Sequence, residues 1–320
     1  MMSEWSSAER RILLATDFSP WAAQAEAYAL CLASVWRGSL TAMTVLEAYP
    51  GMNTEYEVNR LYLGELMKTA TQELAGLKAR AAARGIGVQT HVATGIPSEE
   101  ILNAARAGDA DVIVIGTRGK TGLAHVLLGS TAERVIRGGP CPVFAVRGER
   151  TPDGHAEAGP CQGVQVSRLL VPIDFSECAL NAVEYAAWLA GQHHASVMLL
   201  HVLEPVSYGL DFTLMHAGVR EDARTRAVDR LRALTDALNA AGISAEAQVR
   251  GGVPADSVLD SARTLPADLI VMGTHGRRGI SHALCGSVAE AVLRQARCPV
   301  VTVRSPKFAP GHRRVIPQSS

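Results

Sequence analysis

The sequence predicts an α/β protein made of two tandem domains, each a doubly wound, five-stranded parallel sheet of strand order 3-2-1-4-5. Three observations carry this. First, the chain repeats itself at an offset of 157 residues: 116–130 read GTRGKTGLAHVLLGS and 273–287 read GTHGRRGISHALCGS. Of the 38 aligned pairs from Ala110/Ala267 to Arg147/Arg304, 21 are identical. Second, a period of 157 is far longer than a solenoid repeat, so the duplicated unit is a whole domain. Third, within each copy short β-rich runs alternate with longer helical ones, the pattern of parallel strands joined by crossover helices.

The elements of the first copy follow in order. Arg11–Thr16 (RILLAT) is continuously apolar after its arginine and reads as a buried strand. Asp17-Phe18-Ser19 is a turn, with Ser19 as N-cap and Pro20 at the first helical position. Residues 21–36 are alanine-rich and helical, Gly38 ends the helix, and Leu40–Leu46 forms the second strand. Residues 56–84 carry Leu61, Leu66, Leu74 and Leu77 at helical spacing, and Gly85 stops them. Val88–Ala93 is a strand and Pro97–Ala107 a short helix with acids in its first turn. Val112–Ile115 is wholly apolar, as a central parallel strand buried on both faces should be. After the glycine loop come a helix from Ser130 to about Arg137 and the strand Val143–Val146. The second copy repeats the scheme from Arg168 to Arg304. The expected organisation is a first domain over 1–147, a linker over 148–166, a second domain over 167–305 and a flexible tail over 306–320. The linker segment is rich in glycine and proline.

Composition excludes several classes of function. The chain of 320 residues holds 31 basic and 31 acidic side chains, so bulk charge gives no reason to expect nucleic acid as a partner. No apolar run approaches the roughly 20 residues that cross a bilayer, and the N-terminus lacks the order of a signal peptide. A cytoplasmic protein with no membrane partner is expected. The six cysteines form no C-x-x-C pair and read as small hydrophobes in a reducing compartment.

In an open parallel sheet, ligands bind beyond the carboxyl ends of the strands where the order reverses. Here the first strand ends in Asp17 or Asp174 and the fourth in a glycine loop, so both meet at one crevice. Gly116, Gly119 and Gly129, like Gly273, Gly276 and Gly286, let backbone approach phosphate oxygens without a Cβ in the way. The helix opened at Gly129-Ser130 offers its first amides and its dipole to an anion. Arg118 and Lys120, and Arg277 and Arg278 in the second copy, add positive charge. An aspartate at the strand end suits an adenine amino group, a ribose hydroxyl or a metal ion. It also suits simple helix capping, and Ser130 and Ser287 suit N-caps. No G-x-G-x-x-G follows the first strand and no G-x-x-x-x-G-K-[ST] occurs, which disfavours a dinucleotide-type Rossmann site and a P-loop.

The pattern G-x-x-G, nine residues, G-S after a fourth strand, with an aspartate ending the first and a C-P-V strand following, resembles the universal stress protein family. The resemblance covers 10–147 and 167–304. It implies an ATP-binding type, since both copies keep the full glycine pattern, with Mg2+ accompanying the nucleotide. Carried over residue by residue, it implies a first site of Ala15, Thr16 and Asp17, Val45, Ile115 and Gly116, and Gly119, Gly129, Ser130 and Thr131. The second site would use Pro172, Ile173, Asp174, Val202, Met272, Gly273, Gly276, Gly286, Ser287 and Val288. Ala15 stands where the second copy has a proline. The resemblance further implies fifth strands that pair across a pseudo-twofold, and leaves a homodimer and a further protein partner open.

The implied function is a nucleotide-binding stress-response or signalling protein that acts through nucleotide-dependent conformation or partner choice. The alternative is a slow ATPase or a hydrolase of an adenylated compound. Hydrolysis needs a positioned base, and the nearest candidates, Glu133 and Glu290, lie a turn into the helix after the loop. His125 and His282 read as loop histidines facing solvent, with a terminal phosphate as the other possibility. His201 and His275, with His282, Cys285 or Asp174, have no diagnostic metal spacing, and no metal site is expected. His193-His194 stand at a helix end and are expected to meet its last carbonyls.

Overall fold

The computed structural model describes residues 9–47, 56–119, 128–147, 166–204, 216–276 and 285–304, excluding the side chains of 216–220. Residues 148–165 of the expected linker, the expected tail, and Lys120, His125, Cys161, Arg277, Arg278 and His282 lie outside the described residues. The chain divides into two compact units, Met1–Val164 and Gln165–Ser320.

The first unit runs β1 (Arg11–Ala15), α1 (Pro20–Trp36), β2 (Ser39–Glu47), α2 (Glu57–Ala82), β3 (Val88–Gly95), α3 (Pro97–Ala107), β4 (Val112–Gly116), α4 (Ser130–Gly138) and β5 (Val143–Val146). Its strands pair in the order β3-β2-β1-β4-β5, all parallel. The second unit repeats this with β6 (Arg168–Pro172), α5 (Glu177–His193), β7 (Ser196–Leu203), α6 (His216–Ala240), β8 (Ala245–Gly251), α7 (Pro254–Thr264), β9 (Leu269–Gly273), α8 (Ser287–Gln295) and β10 (Val300–Val303). Its order is β8-β7-β6-β9-β10, again parallel. The 3-2-1-4-5 sheet is therefore present in both units.

The central strands explain the order. In β1, Ile12 pairs with Leu40 of β2 on one side and Val112 of β4 on the other. Ile12, Leu14, Val112 and Val114 are each no more than 1% exposed, so a strand with neighbours on both edges and helices on both faces has no place for polar residues. Each such side chain stabilises by about 1.5–3 kcal/mol. The start of the central strand is fixed by a carboxylate: the Arg11 amide donates to Asp111 at 2.9 Å, and the Ser167 and Arg168 amides donate to Asp268 at 2.8 and 2.9 Å. Buried Ala22, Ala25 and Ala29 give α1 the small face that lets it sit close on the sheet.

Two expectations about the helices need correction. Leu74 and Leu77 of α2 are buried as the spacing predicted, but Leu61 is 62% exposed. A helix of 26 residues is about 39 Å long, while the nine-residue β2 spans only about 30 Å, so the first turns of α2 overshoot the sheet. At the other end of the fold, α5 runs through His193, and the backbone N–H of left-handed His194 donates to the Ala190 carbonyl. Here the backbone, rather than an imidazole, satisfies the helix end.

Candidate functional site

The turn after the first strand is built the same way twice. In the first unit, Phe18 is left-handed at φ 57°, and Phe175 in the second is at 62°. A side-chain-bearing residue in this region costs on the order of 1 kcal/mol, and such strain concentrates at functional sites. The aspartate offsets it: Asp17 Oδ1 accepts from the Ser19 amide at 3.0 Å, and Asp174 Oδ1 from the Ser176 amide at 3.0 Å. Ser19 and Ser176 then cap α1 and α5, accepting from the Ala22 and Ala179 amides at 3.2 and 3.3 Å. The aspartates are thus not the caps. They brace the turn and keep their second oxygens toward the crevice, where Oδ2 lies beside Gly119 and Gly276.

Beyond the strand ends of the first unit lies a cavity of about 420 Å³, a size suited to a small-molecule ligand. All ten residues expected at the first site line it. Ala15, Thr16 and Asp17 come from the end of β1, Val45 from β2, and Ile115 and Gly116 from the end of β4. Gly119 follows in the loop, and Gly129, Ser130 and Thr131 form the start of α4. The remaining wall was not anticipated. Leu66, Thr69, Ala70 and Glu73 of α2 also line the cavity, as do Glu47, Pro97 and Ile101. Periodicity gave α2 an apolar face but could not say that its polar edge reaches the crevice.

The second unit brings its ten residues to equivalent places. Pro172 ends β6 with Ile173 and Asp174 beyond it, Val202 lies on β7, and Met272 and Gly273 end β9. Gly276 faces Asp174, while Gly286, Ser287 and Val288 open α8. His201 is a structural residue here. Its Nδ1 lies 2.7 Å from the Ile173 carbonyl, and its ring packs 4.9 Å from that of Phe175. His275 Nδ1 lies 2.9 Å from the Thr274 hydroxyl. Among the described residues no cluster of three metal-ligating side chains occurs.

One detail of the anion cradle differs from expectation. Gly129 and Gly286, not Ser130 and Ser287, are the N-caps, and neither serine makes the side-chain cap bond. The extended ψ of 147° at Gly129 and 146° at Gly286 puts the helix boundary one residue earlier. The cap amides are also engaged, donating to the Thr117 and Thr274 carbonyls at 2.8 Å. The amides left without an acceptor inside the helix are those of Ser130, Thr131 and Ala132, because the next, Glu133, already donates to Gly129 at 2.9 Å. These three line the cavity. They point a partial positive charge at it, and Arg118, 5.1 Å over the Trp21 ring, adds a full one.

The thiol beside the second crevice is quiet. Burial pushes Cys178 up, opposed chiefly by a backbone hydrogen bond from His275, so it is not a poised thiolate.

The universal stress protein family pattern matches the chain twice, over residues 9–147 and 165–304. The chain belongs to the universal stress protein family. A universal stress protein of Methanocaldococcus jannaschii is 36% identical over 139 residues, 43% of this chain and 82% of that one. A tandem-length relative from Mycolicibacterium smegmatis is 27% identical over 308 residues, covering 93% of this chain and 98% of its own. Alignments to relatives from Mycobacterium bovis and Mycobacterium tuberculosis span 63% of those proteins. The crystal structure of a universal stress protein from Archaeoglobus fulgidus shares the fold, with a TM-score of 0.70 over 92% of this chain and 98% of that one at 23% identity. No helix among the described residues is long and apolar enough to cross a membrane.

Proposed function

We propose that each unit of this universal stress protein binds one adenine nucleotide, ATP with Mg2+, and that occupancy sets the conformation or partner choice of a cytoplasmic stress-response protein. The observation that carries this is the cradle of the first unit. A cavity of about 420 Å³ runs from a half-apolar end between β1, β2 and α2 to the open amides of α4. The residues fit the ligand. Val45, Ile115 and Ile101 offer apolar walls to a base, while Asp17 offers a carboxylate to an amino group or a ribose hydroxyl. Ser130, Thr131 and Ala132 offer amides to phosphate oxygens at a place where glycine at 119 leaves the room. The matching set in the second unit supports a second site.

Binding without efficient turnover is the better reading. Glu133 and Glu290, the carboxylates nearest the loop that hydrolysis would call on, are paired one turn on with Arg137 at 2.8 Å and Arg294 at 2.6 Å. Each is thus turned along its own helix toward an arginine and is not positioned by the loop to orient a water. Calorimetric titration of the whole chain with MgATP, followed by analysis of the recovered nucleotide, tests the proposal. Two equivalents recovered as ATP support it. Recovery as ADP would favour a slow ATPase, and the absence of heat and of bound nucleotide would overturn the reading. A homodimer or an unidentified protein partner would then be sought by comparing loaded and empty protein.

A further inference from the structure

The threonine that follows the fourth strand has the same backbone setting in both units but a different side-chain partner. Thr117 donates its amide to the Val146 carbonyl at 2.9 Å and accepts at its own carbonyl from the Gly129 amide at 2.8 Å. Thr274 repeats this with Val303 at 3.2 Å and Gly286 at 2.8 Å. Both threonines are 2% exposed. The Thr274 hydroxyl is paired with His275 Nδ1 at 2.9 Å. The Thr117 hydroxyl is buried and has no hydrogen-bond partner among the described residues. The reason lies one residue on: Arg118 stands where the second unit has His275, and a guanidinium offers no acceptor. Arg118 is instead turned over the Trp21 ring at 5.1 Å, and its own Nε is buried without a partner.

A buried hydroxyl without a partner has lost the hydrogen bonds that water gave it, and such atoms are rare in folded proteins. Thr117 lines the cavity of the first unit, and it does so at the α4 end, where its carbonyl holds the Gly129 cap. The groups offered at that end by Ser130, Thr131 and Ala132 (their amides) and by Arg118 are donors as well. What this hydroxyl lacks is an acceptor, and an anionic oxygen suits the set of donors around it. With its backbone bound on both sides, the residue can change only its rotamer. The hydroxyl and methyl of a threonine exchange places by one step about χ1, and no acceptor among the described residues holds this hydroxyl away from the cavity wall.

We propose that the Thr117 hydroxyl is a phosphate-binding group of the first site: it is unpaired in the empty protein, and a phosphate oxygen of the bound nucleotide supplies the missing acceptor. The inference rests on the nucleotide-binding reading of the first crevice. It adds to that reading a side chain that destabilises the empty protein and favours the loaded one. Thr274, satisfied from within its own loop, is the contrast the duplication provides. A hydroxyl donating to a charged oxygen is worth on the order of tenfold in affinity.

Two readouts of the full chain test this: the urea midpoint of the empty protein and calorimetric titration with MgATP. Thr117→Val keeps the shape of the side chain and removes the hydroxyl. It should raise the midpoint, by on the order of 0.3 M, because an unpaired buried donor is gone. It should also weaken one bound equivalent of MgATP about tenfold. Thr117→Ser keeps the hydroxyl and should retain the parent affinity. Thr274→Val breaks an existing pair and should lower the midpoint instead. A higher midpoint with MgATP affinity unchanged in Thr117→Val would mean that the hydroxyl is unpaired but never meets the ligand. A lower midpoint would mean that it has an acceptor in the empty protein. Either result would overturn the proposal and leave nucleotide binding standing. A parent chain that binds no MgATP would overturn the nucleotide reading, and the proposal with it.

Discussion

A Cβ placed on Gly119 would stand 2.9 Å from Asp17 Oδ2, and the same relationship recurs between Gly276 and Asp174 at 2.7 Å. Real Cβ atoms do not approach a carboxylate oxygen so closely, so the loop after the fourth strand can pass the end of the first only with glycine there. The aspartate cannot simply swing away, because its other oxygen is bound by the Ser19 or Ser176 amide. The two segments that define the crevice are thus locked together by one missing side chain.

Gly119→Val should therefore displace either the loop or Asp17 and remove the first site, while Gly276→Val removes the second. Each single variant is expected to bind one equivalent of MgATP where the parent binds two, and the double variant none. Calorimetric stoichiometry checks this, with circular dichroism to confirm that each variant folds. Two equivalents retained by the double variant would refute the cradle.

Ser176 couples the fold to the site more tightly than an ordinary cap. Its hydroxyl accepts from the Ala179 amide at 3.3 Å and donates to Asp174 Oδ1 at 2.6 Å. Ser176→Ala should cost about 1 kcal/mol of stability through the lost cap, read as a lower urea midpoint. It should also loosen Asp174 and weaken nucleotide at the second site while sparing the first. A stability loss with both affinities intact would show that the amide bond alone positions the carboxylate.

The parts of this architecture legible in the sequence were those fixed by local pattern or by duplication. The run RILLA and the run VIVIG leave no alternative to buried parallel strands, and the glycine loop stands out because it occurs twice. What stayed hidden depends on packing between elements. Glu73 belongs to the polar side of α2 by periodicity, and only the docking of that helix on β2 and β3 turns it toward the cavity. Leu61 fits the apolar stripe but lies on turns that outrun the sheet, and spacing cannot report where a sheet ends. The shift of the cap from Ser130 to Gly129 reflects one backbone angle, below what a residue preference can resolve.

A paired contact between α2 and α1 can be measured separately. Arg80 donates from Nε and Nη2 to the two oxygens of Glu26 at 2.8 and 2.9 Å, and this pairing raises the Arg80 pKa. Glu26 is 12% exposed but Arg80 is 52% exposed, so solvent screens much of the attraction. A double-mutant cycle with Arg80→Met and Glu26→Gln should give a coupling of about 0.5–1 kcal/mol, shrinking in molar salt. A coupling that ignores salt would mean that packing of the arginine stem, not charge, holds the two helices.

Alkaline stability supplies a test of the core. Burial pushes the Cys141 thiol from its ordinary 9.0 up to about 12, with the Asp111 carboxylate adding in the same direction. Burial likewise pushes Cys298 to about 11. Below pH 9 both folded and unfolded chains keep these protons, and the thiols leave stability unchanged. Between 9 and the raised values the unfolded chain ionises while the folded one does not, so stability falls as pH rises. The slope is about 1.4 kcal/mol per pH unit for each thiol. From pH 8 to pH 10 the urea midpoint should therefore drop more in the parent than in Cys141→Ala, by the share of one thiol. The alanine costs something at pH 8 through lost packing, but its pH dependence should be shallower. Parallel midpoint curves for the two proteins would show that Cys141 ionises as readily in the fold as in the open chain, and that the end of α4 admits water to the start of β5.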